Sequence, residues 1–461
     1  MSLGRRGRDE QQELWISTTD LPKSEGHVFY RKLNALLAEA GFDTFVEELC
    51  QPYYHKRQGR PSIPPGVYFR MLLVGFYEGL GSQRGIAWRC GDSLSLRSFL
   101  GVGLNEDTPH HSSLTRVRDR LPLEAHTAVF EFVLQLADEK GLLRGKTVAA
   151  DSTTLEADAA MKSIVRRDTG EDWEEYIRGL MKQEGIENPT KEEMRRFDKK
   201  RQGKKVSNED WVSSSDSDSR ITRMKDGRTH LAYKAENVID LETELILAAS
   251  IRHADESDTQ TLADSVVEAQ THLNEAELEK HIEEVVADKG YHSTDQLKRC
   301  QWLGLRTYVP EPKSPHKRKL KKLDKKKRQA LLNNRKRTKR RKSKELQRKR
   351  SERVERSSAH MCDTGGARRT WLHGLDKVQK RFLITAVARN LGLLMRKLFG
   401  MGTPRGLQTD GGHFHFLQLA WLYLGRYIRL QIDSWLPWIT QKMPERWLSQ
   451  PVRNSTLSTG C

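Results

Sequence analysis

The chain has 461 residues and a formal net charge of +18, a length that allows about three domains and a substantial buried core. Its five cysteines, Cys50, Cys90, Cys300, Cys362 and Cys461, are scattered with no CxxC pair, which excludes a disulfide framework or a cysteine zinc module and points to a reducing cytoplasm. The opening MSLGRRGRDEQQELW lacks the apolar core of a secretion signal, and the most apolar stretch, Phe414 to Trp438, is broken by Arg426, Arg429, Asp433 and Pro437, so a soluble protein with no membrane span is expected.

Taken in order, residues 1–25 read as a tail. Residues 26–50 read as a helix, with Phe29, Leu33, Leu36, Leu37 and Ala40 at helical spacing. Pro64-Pro65 opens a strongly apolar helix carrying Val67, Met71, Leu72 and Val74. Shorter helices are predicted at Gln83–Arg89 and Leu94–Leu100. A further one spans Asp107–Leu121, where Ser112 or Ser113 supplies the cap and Leu114, Val117 and Leu121 the apolar face. Arg116, Arg118 and Arg120 then point elsewhere, as on the last helix of a helix-turn-helix module entering a DNA groove; a solvated helix face is the plainer alternative. Residues 26–122 are accordingly read as an all-helical DNA-binding domain.

A helix at Leu123–Lys140 leads into Thr147-Val-Ala-Ala-Asp151, an apolar run that ends on an aspartate. Residues 156–219 are polar, and the run Ser213-Ser-Ser-Asp-Ser-Asp-Ser219 marks an insertion with short helices and an exposed loop. Thr229–Val238 and Glu244–Ile251 read as an antiparallel hairpin. A helix from Asp258 to Leu273 follows, with Asp255 and Asp258 as caps. Val285-Val-Ala-Asp288-Lys-Gly-Tyr-His292 then repeats the earlier pattern of an apolar strand ending on an aspartate. A helix at Thr294–Leu303 and a strand at Arg306–Val309 come next.

Lys313–Arg350 holds 21 Lys and Arg against the two acids Asp324 and Glu345, so the rest of the chain is essentially neutral. A solvated, partly disordered tract is the bland reading of such a run; its position inside the chain favours a polyanion partner. Glu352 and Glu355 follow it, then a long helix at Leu375–Leu398 with Val378, Phe382, Leu383, Val387 and Leu391 on one face. The tail from 401 to 461, with Trp435, Trp438 and Trp447, matches no motif.

The order of these elements is that of an RNase H-like mixed α/β sheet, in which Asp151, Asp288 and a glutamate meet at one edge. Such carboxylates suit Mg²⁺ (or Mn²⁺) and in-line displacement at phosphorus. Three glutamates compete for the third place: Glu355, Glu352 and Glu345. His230 and His292 lie near strand ends and read as structural or exposed. The absence of HExxH, GxSxG and P-loop sequences leaves zinc hydrolysis, α/β-hydrolase chemistry and nucleotide hydrolysis without support.

Several separated motifs carry a resemblance over about residues 60 to 400: PPGVYFRMLLVGFYEGLGSQRGIAWR, DTPHHSSLTRVR, VAADSTTLEADAAMKSI, DGRTHLAYKAENVIDLETE, VVADKGYHS and VERSSAH…GGARRTWLHG. In these the chain resembles bacterial insertion-sequence DDE transposases, which join a helical transposase domain to an RNase H-like catalytic domain. The resemblance implies a catalytic domain over 123–400, with insertions near 156–219 and 313–350. It also implies a metal-binding triad of Asp151, Asp288 and Glu355, and phosphate contacts by Arg368, Arg369 and Arg348. The implied activity nicks element ends in DNA and joins the freed 3′ end to target DNA. It further implies a homodimer or higher assembly on paired ends, in a cytoplasmic, nucleoid-associated protein. Departures exist. Counted from Glu355, the Tyr-x2-Arg-x3-Glu-x6-Lys pattern of related enzymes meets Arg348, Ser351 and Cys362; Ser358 stands where the family has phenylalanine, and His110 where it has an acid. These leave open a decayed copy that acts only as a DNA-binding repressor.

Overall fold

The computed structural model describes residues 26–55, 62–202, 208–224, 227–313, 320 and 323–407. The tail 1–25, the region beyond 407 with Trp435, Trp438 and Trp447, and 314–319 and 321–322 of the basic segment lie outside those residues. The chain divides into two units, Met1–Pro404 and Arg405–Cys461; the elements below belong to the first.

Seven helices come first: α1 (Val28–Glu39), α2 (Phe42–Cys50), α3 (Pro65–Glu78), α4 (Gln83–Asp92), α5 (Leu94–Leu100), α6 (His111–Arg120) and α7 (Leu123–Glu139). The single helix expected over 26–50 is two, because the chain breaks at Gly41, whose φ of 69° lies in the left-handed region that glycine tolerates. On α6 the cap is His110 rather than Ser112 or Ser113: its ring nitrogen accepts from the Ser112 N–H at 3.4 Å. The apolar faces work as the spacing predicted, with Phe29, Leu33, Leu36, Leu37, Met71, Val74, Leu114 and Val117 buried.

The second part is built on β1 (Thr147–Glu156), β4 (Arg220–Arg223), β5 (Thr229–Asp240), β6 (Ile246–His253), β7 (Glu284–Val286) and β8 (Arg306–Tyr308), while β2 (Ile164–Arg166) and β3 (Trp211–Ser213) form a small separate sheet. The main sheet runs β4-β5-β1-β7-β8, with β6 also on β5. From their registers, β4 lies against Thr229–Ala232 and β6 against Tyr233–Ile239, so the two lie end to end along one edge of β5. β5 is antiparallel to β1, whereas β1, β7 and β8 are mutually parallel. This is the RNase H-like mixed sheet, preceded by a helical region.

Six helices complete the unit: α8 (Trp173–Gln183), α9 (Lys191–Lys200), α10 (Asp258–Glu275), α11 (Thr294–Trp302), α12 (Lys325–Thr338) and α13 (Arg341–Asp363), followed by the long α14 (Leu375–Phe399). α8 and α9 close on a satellite core of Ile177, Met181 and Met194. The main core runs unbroken from Phe29 to Met395, and the Tyr77 hydroxyl on α3 donates to the Ala388 carbonyl on α14 at 2.8 Å. α14 thus ties the helical region to the sheet.

Three expectations are corrected. The serine-aspartate run is only partly an exposed loop: Ser214, Ser215 and Ser217 are exposed, but Ser213, Asp216 and Ser219 are buried. Asp216 accepts from the Tyr233 hydroxyl at 2.7 Å and from the Gly374 N–H at 3.1 Å, and Asp218 accepts from Leu375 N–H at 2.9 Å. α10 is capped by Ser257, not by Asp255 or Asp258. The described part of the basic segment is helical, with Ala330 and Leu331 buried and Asn334 bonded to both the N–H and the carbonyl of Val309. Its inner stripe docks on the sheet edge, with Arg335, Arg337, Lys342 and Arg350 reaching Glu311, Thr307, Glu284 and Asp151, while most of its other described cations are exposed.

Candidate active site

The apolar run expected to end at Asp151 continues as strand to Glu156, because β5 pairs with β1 as far as Glu156 opposite Ala232. On the other side β1 pairs with β7, Thr147 with Glu284, Val148 with Val285 and Ala149 with Val286. Continued by two residues, the same register sets Asp151 abreast of Asp288, on strands about 4.8 Å apart. The equal spacing of the two motifs in the sequence is therefore the strand register itself. β7 ends at Val286, so both aspartates stand where the sheet opens at its carboxyl edge; each is half-buried. The Asp288 carboxylate is fixed by the Gly290 N–H, which donates to Oδ1 at 2.6 Å.

Side chains alternate along a strand, so Asp151 shares a face with Asn237, its partner on β5. Asn237 Nδ2 lies 3.7 Å from Met361 Sδ on α13, which identifies α13 as the cover of that face. α13 crosses the sheet in a fixed orientation. Gln347 Nε2 donates to the carbonyls of Ala287 at 3.1 Å and Tyr308 at 2.7 Å, at the carboxyl ends of β7 and β8. Arg353 donates to the Leu241 carbonyl and Lys342 Nζ to Glu284 at 2.5 Å, both toward the opposite end of the sheet. Between them Arg350 Nη1 lies 3.4 Å from Asp151 Oδ1.

At about 100° per residue, Glu355 lies about 80° round α13 from Gln347 and about 160° from Arg353. It is exposed and accepts from the Ser351 hydroxyl at 2.9 Å. Glu352 lies about 140° from Gln347; it pairs with Arg356 at 2.5 Å, which reaches Glu244 at 2.8 Å, beside the β5–β6 turn at the wrong end of the sheet. Glu345 pairs with Lys349 at 3.2 Å. Of the three glutamates, Glu355 is the nearest in angle to Gln347, and it lies about 140° from Arg350. Among the described residues no three His, Cys, Asp or Glu side chains are close enough together to hold an ion as they stand. The two aspartates supply the hard oxygen donors that Mg²⁺ or Mn²⁺ favours.

On the opposite face lies a polar group that sequence reasoning missed. Ser152 Oγ donates to Asp258 Oδ1 at 2.8 Å, the buried Lys234 ammonium lies 2.8 Å from the same carboxylate, and Thr261 Oγ1 donates to the buried Glu236 at 2.9 Å. A Cβ built on Gly290 would fall 2.9 Å from Asp288 Oδ1 and 3.5 Å from Asp258 Oδ2, so this network adjoins the Asp288 loop. The signal was the YKAEN stretch, whose Lys234 and Glu236 lie two apart on one strand face; the sequence reading treated Asp258 only as a cap.

The arginines read as DNA contacts are dispersed. Arg116 is exposed, Arg120 lies over the Tyr54 ring at 4.8 Å, and Arg118 turns inward toward Gln83. Arg348 is exposed on α13. Arg368 pairs with Asp363 at 2.7 Å and Arg369 with Asp158 at 3.1 Å, on a loop whose backbone joins β1: the Glu156 N–H donates to the Arg368 carbonyl at 3.0 Å, and the Thr370 N–H to that of Glu156 at 2.9 Å.

Residues 146–391 match the family model described as "Transposase DDE domain", more than half of the chain, and residues 18–120 match "Transposase domain (DUF772)". The chain belongs to the insertion-sequence DDE transposases. No curated protein matches it. The two matched segments of the transposase correspond to the helical region and to the sheet with its covering helices, and among the described residues no helix is long and apolar enough to cross a membrane.

Proposed function

We propose that this transposase cuts element ends in DNA and joins them to a target by divalent-metal-assisted phosphoryl transfer at Asp151, Asp288 and Glu355. The observation that carries the reading is the β1–β7 register, which supports a pair of carboxylates side by side at the carboxyl edge of the sheet. Glu355 is preferred to Glu352 and Glu345 because it lies nearest in angle to Gln347 on α13. The carboxylates would hold Mg²⁺ or Mn²⁺, and the ion when bound would activate the attacking oxygen and stabilise the leaving one. Gly290 orients Asp288 through its N–H, and Arg350 balances Asp151 while the carboxylates hold no ion.

The helical region 26–122 would bind element ends through Arg116 and its neighbours on α6. The domain 123–400 would carry the chemistry, and the basic outer faces of α12 and α13, with Arg348, Arg368 and Arg369, would bind the DNA backbone. Arg118, turned inward, is the weakest of these contacts. Two ends must be cut together, so the working form is a homodimer or higher assembly on DNA, in the bacterial cytoplasm at the nucleoid. A DNA-binding protein without chemistry is the second reading, favoured by Ser358 in place of the family's phenylalanine.

The test is cleavage and joining of end-containing DNA with Mg²⁺, using wild type, Asp288→Ala, Glu355→Ala and Glu352→Ala. The proposal expects loss of joining with DNA binding retained in the first two variants, and activity in Glu352→Ala. Loss in Glu352→Ala alone would move the third ligand, and an inert wild type that still binds DNA would leave the repressor reading.

A further inference from the structure

A half-open cavity of about 540 Å³ lies between the helical region and the sheet domain. Four segments converge on it: Gly81–Arg84 at the start of α4, His111–Arg118 of α6, Gly365–Leu372 after α13, and Lys380–Thr385 of α14. Three of these lie within motifs that carry the family resemblance, and the carboxylate chemistry uses none of them.

The walls are mostly apolar, from Leu72, Phe76, Ile86 and Ile384, with Trp371 at one side. Trp371 is wedged in place: its ring edge would lie 1.9 Å from a Cβ at Gly81, and the Arg381 guanidinium sits 4.3 Å over its ring. Three guanidiniums face this space, those of Arg84, Arg118 and Arg381. Among the described residues none of them is in an ion pair. Arg84 donates to His111 Nε2 at 3.2 Å. Arg118 reaches the Gln83 amide oxygen at 2.5 and 2.8 Å in the amide orientation that satisfies its neighbours, and Arg118 Nε is buried without a partner. The fourth cation, Lys380, is balanced by Asp376 at 2.6 Å. Burial and the charge of Arg118 hold Arg381 down to about 10.

Like charges gathered against apolar walls repel one another and lose hydration, and the partners His111, Gln83 and Trp371 bring no negative charge to balance them. Arginine forks match phosphate oxygens in pairs, and the flat apolar wall suits a ring. The volume is that of a small-ligand site and excludes a duplex. We propose that the cavity binds a single nucleotide, its phosphate on Arg118, Arg381 and Arg84 and its base on the apolar wall beside Trp371. A free nucleotide and an unpaired nucleotide at the end of a DNA strand share this chemistry; only the second rests on the DNA-processing reading. The loop that carries Trp371 pairs with Glu156, five residues along β1 from Asp151 and so about 17 Å away.

The test is calorimetric titration without divalent metal, using dAMP, deoxyadenosine, inorganic phosphate and a 5′-phosphorylated single-stranded tetranucleotide. Arg118→Gln and Arg381→Gln are the variants, with Arg195→Gln on the exposed face of α9 as control and thermal melts to verify folding. Saturable binding of dAMP or the tetranucleotide is expected, at least tenfold weaker in both cavity variants, unchanged in Arg195→Gln, and at least tenfold weaker for deoxyadenosine and phosphate. Tighter binding of the tetranucleotide identifies a strand end; tighter binding of dAMP identifies a free nucleotide. Absence of saturable binding to folded wild type, equal binding by folded cavity variants, or phosphate binding as well as dAMP overturns the proposal. Repetition in Asp288→Ala, where binding is expected to persist, keeps its failure distinct from failure of the carboxylate reading.

Discussion

Replacing Arg350 by methionine removes the guanidinium beside Asp151 while keeping most of the apolar stem that packs under α13. The Nη1–Oδ1 separation is 3.4 Å, with the two side chains 14% and 28% exposed. At an effective dielectric of about 20, opposite charges at that distance attract by about 5 kcal/mol. Desolvation and screening reduce what a measurement would find to about 1–3 kcal/mol. Two consequences follow, with opposite signs. Without metal, Asp151 and Asp288 stand abreast with less compensation, so Arg350→Met is expected to lower unfolding stability at pH 7 by that amount. With metal, the cation no longer displaces a guanidinium, so Mn²⁺ binding measured by calorimetry is expected to tighten roughly 5- to 100-fold, at about 1.4 kcal/mol for each factor of ten. Added Mn²⁺ should then restore the lost stability. Unchanged or weaker Mn²⁺ binding in folded Arg350→Met would refute the idea that Arg350 holds the place of an ion.

Gly290→Ala puts a Cβ 2.9 Å from Asp288 Oδ1; joining activity is expected to fall up to about 100-fold with little change in the urea midpoint, and full activity would refute the orienting role of this turn. Gly81→Ala drives a methyl to within 1.9 Å of the Trp371 ring, so a loss of about 1–3 kcal/mol is expected, and Trp371→Ala should cost less in that background than alone. Stability should also peak near pH 6.5. Burial holds His126 and His360 down to about 4, so the unfolded chain binds the extra protons between pH 6.5 and 4 and stability falls with pH by about 1.4 kcal/mol per unit for each histidine. Burial also opposes charge on His272, but Glu131 and Glu268 outweigh it and lift the group to about 9, so its contribution is complete below pH 6.5 and lost by pH 9. Equilibrium denaturation that is flat from pH 4.5 to 9 would contradict these assignments.

Much of the fold was legible because apolar periodicity reports burial. The helices from Val28 to Glu139, the β5–β6 hairpin and the inner face of α14 all follow from it. The same signal misplaced the end of β1, since Ser152, Thr153 and Thr154 are polar yet remain in the ladder with β5; a strand paired on one side at an opening site needs no apolar alternation. Composition misread Ser213–Ser219 for a related reason. Polar residues can be interior when their partners are backbone N–H groups and a tyrosine hydroxyl, as Asp216 and Asp218 are here. Caps failed at α6 and α10 because several adjacent side chains could serve, and only backbone geometry selects His110 and Ser257.

The candidate site divides along the same line. Asp151 and Asp288 could be paired from sequence because each closes a similar apolar run, and their spacing equals the register of a parallel strand pair. A helix gives no comparable clue: Glu345, Glu352 and Glu355 all lie on α13, and spacing alone leaves them equivalent. What separates them is the roll of the helix on the sheet, set by Gln347 at the carboxyl ends of β7 and β8 and by Arg353 and Lys342 at the other end. None of those anchors is acidic, and the carbonyl partners of Gln347 and Arg353 leave no trace in side-chain composition. The cavity follows the same logic at longer range, since Arg118 reads as one of three surface arginines until Gln83 and the Trp371 loop close over it. Where function depends on which way a helix faces, the informative residues are the uncharged and cationic ones that dock it.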